Sequence, residues 1–259
     1  MKIRIFLFVA LLLLCGVSAR AQQDSAARLV RYGVFGSAGV NFHKAPYIDS
    51  RQIVSMAFYG LYSPARGVRT EKNFGAMAFG WSSGALIELP LLNEFGMSFR
   101  FSYAKIGGLL TAPYESSPLM EQYFDTSPLA QLGTEAYLTF RLLDRFVLYA
   151  GVQLATIMNT PIEGGVRILD TNRYSVFSNG QKMRYEFTGS FNTFNNPNLG
   201  LSAGACYEIP IDNSKQWFCA LELFYTYFLG SIIPEPSIWA LTTLRAGVSL
   251  RYAPFATGK

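Results

Sequence analysis

The C-terminal stretch Ala240-Leu241-Thr242-Thr243-Leu244-Arg245-Ala246-Gly247-Val248-Ser249-Leu250-Arg251-Tyr252 decides the fold. From Leu244 onward one parity reads Leu244, Ala246, Val248, Leu250 and Tyr252, and the other reads Arg245, Gly247, Ser249 and Arg251. A strand sends successive side chains to opposite faces, so one face here is apolar and ends in an aromatic, while the other carries two arginines among small residues. That is the pattern of a strand with lipid outside and a polar interior.

Seven more segments of similar length precede it. The spans 31–42, 74–89, 95–107, 129–141, 146–158, 199–210 and 217–230 read as strands, each long enough to cross a bilayer when tilted. The intervals alternate. Leu91 to Glu94, Leu142 to Arg145 and Ile211 to Gln216 are short; His43 to Asn73, Gly108 to Pro128, Asn159 to Asn198 and Ser231 to Trp239 are longer. Outer-membrane barrels have short periplasmic turns and long extracellular loops, and every interval falls on the matching side. The sequence therefore predicts an all-β, eight-stranded antiparallel transmembrane β-barrel, with ten strands as the alternative. Pro90 and Pro210 cannot donate to a ladder and mark strand ends. Phe95, Phe146 and Trp217 open the strands after the short turns, where an interfacial aromatic belongs.

Two loop segments resemble further strands. Ile53 to Tyr62 is apolar enough to cover the barrel mouth or to join a strand, and it is the source of the ten-stranded alternative. Arg173 to Phe187 contains Asn179-Gly180, a preferred hairpin turn, but Arg173, Lys182, Arg184 and Glu186 put charge on both parities. The expectation is a hairpin projecting above the membrane.

The N-terminus explains part of the charge. Lys2 and Arg4 precede an apolar run from Ile5 to Leu14, and Ala19 and Ala21 stand at the −3 and −1 positions of a cleavage site. Residues 1–21 read as a cleaved signal peptide and residues 22–259 as the barrel domain, placing the mature chain in the outer membrane. Leu14 stands where a lipid-attachment signal at Cys15 would want Gly or Ala. Removing the leader leaves 19 basic residues against 17 acidic, a net +2. Without a Lys/Arg-rich run, nucleic acid is not an expected partner. Half of the residues are hydrophobic and 15% aromatic, yet no mature segment approaches the roughly 20 apolar residues of a membrane helix. Alternating strands reconcile the two.

Assigning faces strand by strand puts Glu88, Arg100, Glu135, Arg141, Glu208, Glu222, Arg245 and Arg251 on the inner parity. An eight-stranded barrel is just wide enough for side chains to fill it, and a buried charge is costly unless paired. Four acids against four arginines predict a closed structural lumen network rather than an open channel. Glu222 fits least well, because its parity also turns Phe218 and Phe224 inward. The same parity places Cys206 inward and Cys219 outward, which argues against a disulfide, although a bulge would shift the register.

Catalytic and metal-binding readings find little support. The single histidine, His43, stands at the outer end of the first strand as an expected solvated residue, with Ser116, Ser117, Asp125 and Ser127 in a later loop. Their spacing singles out no triad. One His and two cysteines on opposite faces make no metal site, and no cofactor is expected.

Glu208-Ile209-Pro210-Ile211, Leu221-Glu222-Leu223-Phe224-Tyr225 and Leu244-Arg245-Ala246-Gly247-Val248-Ser249-Leu250-Arg251-Tyr252-Ala253-Pro254 resemble the outer-membrane β-barrel domains of Bacteroidota-type porin-like and OmpA-type proteins. The resemblance covers nearly all of the mature chain, and its motifs are structural. It implies an outer-membrane barrel with no catalytic residues to carry over; the chain ends at Lys259, so the peptidoglycan-binding domain of many relatives is not expected.

The function expected is a non-enzymatic barrel serving envelope integrity or a surface contact through its long loops. The expected partners are outer-membrane lipid and lipopolysaccharide, the barrel-assembly machinery during insertion, and an extracellular partner at the loops. One alternative is a narrow porin-like channel for small or hydrophobic solutes. There Phe187, Phe191 and Phe194, with Asn192, Asn195, Asn196 and Asn198, line a binding mouth. The other is a lipid-modifying enzyme at the outer rim.

Overall fold

The computed structural model of the chain describes residues 30–49, 53–58, 69–70, 74–92, 94–113, 119–143, 145–158, 161–170, 175–177, 180–191, 194–213, 216–235 and 238–254. The signal peptide, Cys15, Ser116 and Ser117 lie outside them. Eight strands form the barrel: β1 (Arg31–Asp49), β4 (Phe74–Pro90), β5 (Phe95–Lys105), β8 (Ala130–Leu143), β9 (Phe146–Met158), β12 (Asn198–Pro210), β13 (Trp217–Phe228) and β14 (Ile238–Tyr252). Each pairs antiparallel with the next, and β14 pairs with β1, from Tyr32 opposite Tyr252 to Tyr47 opposite Ile238. Closure leaves the barrel wall without an edge, which removes the row of unpaired backbone groups an open sheet would expose. No described helix is long and apolar enough to cross a membrane; the barrel would cross with its strands.

The other six strands belong to the long loops. They are β2 (Ile53–Phe58), β3 (Arg69–Thr70), β6 (Leu109–Pro113), β7 (Met120–Asp125), β10 (Ile162–Ile168) and β11 (Met183–Phe191). Five of them make a sheet in the order β2-β11-β10-β7-β6, joined to the barrel where Gly75 of β4 pairs with Thr111 of β6. The apolar segment from Ile53 thus joins this loop sheet rather than the barrel, and the barrel has eight strands. The projecting hairpin differs from expectation in its arms: β10 begins at Ile162, and the described residues between Ile168 and Met183 are not strand. Within that interval Phe177 and Gln181 close a turn around Gly180, whose φ of 74° is one that glycine adopts without a Cβ clash.

Outward positions form an apolar belt. Phe101, Leu138, Leu221, Leu223 and Val248 are exposed and carry the parity predicted for lipid contact, and Val34 of β1 is exposed with them. Aromatic pairs stand at both ends of it: Trp217 with Tyr252 (ring centroids 4.7 Å apart) and Phe95 with Phe140 (5.0 Å) near the short turns, Trp81 with Tyr103 (5.6 Å) toward the long loops. Amphipathic rings are favoured at such levels of a bilayer.

Cys206 and Cys219 are both free. The register sets Cys206 opposite Glu222 and Cys219 opposite Ile209, so the two thiols point to opposite faces of neighbouring strands.

Two outcomes are expected from this architecture. Arginine at the outward position Leu223 should lower the stability of the vesicle-embedded barrel by about 2–4 kcal/mol, against about 0–1 kcal/mol at Leu142 near the end of β8, as read by denaturant titration. Alkylation after non-reducing unfolding should find Cys206 and Cys219 unbridged; a disulfide-linked pair would contradict the register.

Candidate functional site

The inner parity of the eight strands builds a lumen in levels. Nearest the short turns, Arg251 Nη1 binds Glu208 Oε1 at 2.8 Å and Glu88 Oε1 at 2.9 Å. Glu208 also accepts from Arg31 Nη1 at 2.8 Å and pairs with Arg141 Nη2 at 2.9 Å. The Tyr149 hydroxyl donates to Glu88 at 3.0 Å. Arg251 then reaches up to the next level, where its Nη2 donates to Glu222 Oε1 at 2.6 Å.

At that next level Arg100 meets Glu222 in a two-pronged pair, with both N–H···O distances 2.8 Å. A planar guanidinium matches a carboxylate in this way and fixes its orientation as well as its charge. The guanidinium carbon of Arg100 lies 4.4 Å from the Phe224 ring centroid, with Phe35, Tyr149 and Tyr137 between 5.1 and 5.8 Å. Phe218 takes the same role under Arg31, at 4.5 Å. The inward phenylalanines that made Glu222 look misplaced are therefore part of the site, since aromatic faces attract a desolvated cation. Gly204 makes room for one of them. A Cβ there would sit 2.4 Å from Phe224 Cδ1 and 2.7 Å from the Leu223 carbonyl oxygen.

The third level centres on Glu135. Its Oε1 accepts from both terminal nitrogens of Arg245 at 3.2 Å, and its Oε2 from the Tyr137 hydroxyl at 2.7 Å. Tyr137, Ser202 and Thr226 continue the hydrogen-bonded run at 3.0 and 2.9 Å. Above it lies a belt of buried amides, Asn41, Gln131, Gln153 and Asn198. Asn41 donates to the carbonyls of Lys105 and Ile106 where β5 leaves the barrel wall.

At the long-loop end the inner parity turns apolar. Ile106, Ile157, Phe228, Trp239 and Leu241 pack with Leu110, Phe124, Ile162, Ile232 and Ile233 from the loops in one buried cluster. His43 belongs here. It is buried rather than solvated, and its Nδ1 accepts from Trp239 Nε1 at 3.1 Å. Asp125 is engaged elsewhere, accepting from the Ser127 backbone N–H at 2.8 Å. The asparagines expected to line a mouth stitch this end shut. Asn196 brackets the backbone of Ile157 at 2.8 and 3.1 Å, and Asn195 donates to the carbonyls of Ser231 and Ile233. Phe194 packs against the cluster, and Asn198 is inside the barrel. The side chains of Phe187 and Phe191, and all of Asn192, lie outside the described residues.

Each of the eight residues assigned to the lumen from parity makes an ion pair inside the barrel, Glu135 with Arg245 and the other six in one connected set. Arg31 completes them and was missed, because no inner face was assigned to the first strand. The parity of β1 was the signal that would have found it: Phe35, Ser37, Gly39 and Asn41 share its face. Voids of about 10 Å3, each with room for about one water, lie between Arg100, Glu222, Glu135 and Arg245 and beside Asn41, Gln131 and Arg245. Below them, at the short-turn end, the lumen widens into a vestibule of about 740 Å3. Among the described residues no group of His, Cys, Asp and Glu is arranged to hold a metal ion.

No described protein family matches the chain, and neither does any curated protein. Among solved structures it is similar to Ail, the attachment invasion locus protein of Yersinia pestis, at 12% identity over 87% of this chain and 100% of that one, with a TM-score of 0.32. It is similar to the outer membrane protease OmpT from Escherichia coli at 8% identity, covering 89% and 98%, with a TM-score of 0.45. The outer membrane protein OprG from Pseudomonas aeruginosa gives 10% identity, 85% and 96% coverage, and a TM-score of 0.33.

Breaking one partner of a buried pair leaves an uncompensated charge. Arg245→Leu should lower the unfolding free energy in detergent by about 3–5 kcal/mol, and adding Glu135→Leu should recover much of that loss. An unchanged midpoint for the single variant would mean that Glu135 does not depend on Arg245.

Proposed function

We propose that the protein is a non-enzymatic outer-membrane barrel with a closed lumen, which anchors the loop sheet as a surface for contact outside the cell. The apolar belt between aromatic rims supports the membrane setting, and the resemblance of the terminal strands to Bacteroidota-type barrels supports the same place. The observation that carries the reading is closure at two levels by different physics. Arg100, Arg245 and Arg251 cross the lumen to Glu222, Glu135 and Glu208 with about one water's room between them. Above them a dry cluster around Trp239 and Phe228 fills the barrel end. An ion crossing would have to displace paired charges and then pass an apolar plug, and each step is expensive in a low-dielectric interior.

With the transmembrane body closed, the loops are where a partner would be met. The strands β2, β6, β7, β10 and β11 give them an ordered framework, and Arg167 pairs with Glu121 across β10 and β7. The rim-enzyme reading loses its histidine, because His43 is inside the plug against Trp239.

Planar-bilayer recording tests closure. The purified barrel should insert without steady conductance; a reproducible ohmic step from the unmodified protein would replace this reading with the narrow-channel one.

A further inference from the structure

The vestibule at the short-turn end has a volume of about 740 Å3, within the range of small-molecule sites. Its floor is Glu208, whose side chain is only 3% exposed, with Arg31 and Arg141 above it at 22% and 30%. These two guanidiniums therefore stand between the buried carboxylate and the open cavity.

Arg251 and Arg31 differ in how their donors are used. Arg251 spends all three nitrogens: Nε on Ser249, Nη1 on Glu208 and Glu88, and Nη2 on Glu222 and Cys206. Among the described residues Arg31 makes its ion pairs through Nη1, with the Phe218 ring centroid 4.5 Å from its guanidinium carbon. Its Nε and Nη2 donors meet no acceptor among the described residues. Within the vestibule the charged lining is balanced, Arg31, Arg141 and Arg145 against Glu88, Glu94 and Glu208, and Glu208 is the buried member. The wall beside the arginines is apolar, with Val147, Pro90, Pro210 and Phe218 lining it.

We propose that this vestibule binds a small amphiphilic anion. A carboxylate or phosphate head sits on Arg31 with Arg141 beside it, and a short apolar body lies against Phe218 and Val147. A guanidinium with two adjacent free N–H groups is suited to either head group, and a half-enclosed cup screens the interaction less than bulk water would. The site is separate from the loop surface and does not depend on whether the lumen conducts.

The test is calorimetric titration of the full barrel in phosphatidylcholine nanodiscs, corrected against empty discs, with hexanoate, hexyl phosphate, inorganic phosphate and hexanol as probes. Saturable one-to-one binding of hexanoate or hexyl phosphate is expected, with no saturable binding of hexanol. Inorganic phosphate should bind about tenfold more weakly than hexyl phosphate, because it lacks the apolar body. Arg31→Gln should weaken the anion by about tenfold or more. Arg141→Gln, which leaves Glu208 paired with Arg31 and Arg251, should produce a smaller loss in a barrel whose heat-modifiable gel migration shows it folded. Absence of saturable binding by both organic anions overturns the site. So does an affinity unchanged in Arg31→Gln or, where that variant does not fold, in Arg141→Gln. Inorganic phosphate binding as tightly as hexyl phosphate overturns the amphiphile assignment.

Discussion

Arg251 has no exposed side-chain surface and touches three carboxylates, Glu88, Glu208 and Glu222. The rest of the interior is arranged around that fact. A guanidinium stays charged at any pH the fold survives, so its burial has to be met by acids and hydrogen-bond acceptors in place. Meeting it brings together β4, β12 and β13, and the shared acids then bring in Arg31, Arg100 and Arg141. The charges form one connected set near the short turns, with Glu135 and Arg245 as a separate pair above it.

Such a set is expensive to assemble and strict about geometry. Pairs of this kind often contribute little net stability compared with a well-packed apolar core, while losing one partner is severe. What they contribute here is a filled lumen whose contents cannot be rearranged cheaply. The aromatic rings around Arg100 strengthen that restriction, since they occupy the space a mobile side chain or a chain of water would need. The barrel end then changes character from charge to a dry apolar cluster, so the two halves of the closure fail under different substitutions.

The pairing follows the closed barrel rather than the sheet ladder. Arg100 and Glu135 are directly opposite on β5 and β8, yet Arg100 takes Glu222 across the lumen and Glu135 takes Arg245. Neighbours on the ladder and partners in charge are different residues. This explains why parity was enough to name the members and could not name the pairs. It also explains Phe218 and Phe224: along β13 they look like errors in an inward face, and only the position of Arg31 and Arg100 above them makes them cation partners.

The chain alone carried the positions and order of the barrel strands and the faces of most of their residues, because a period of two and alternating short and long connections are local properties; it left open eight strands or ten and the inner face of the first strand. It also determined that the inner face carries charge of both signs. Only the tertiary structure decided which Glu meets which Arg, that His43 is sealed against Trp239, and that the long loops build a sheet. Those outcomes depend on which strands are brought across from one another when the barrel closes, over separations as large as the 196 residues between His43 and Trp239. The vestibule belongs to the same class: its residues come from both ends of the chain, with Arg31 on Glu208 across 177 residues.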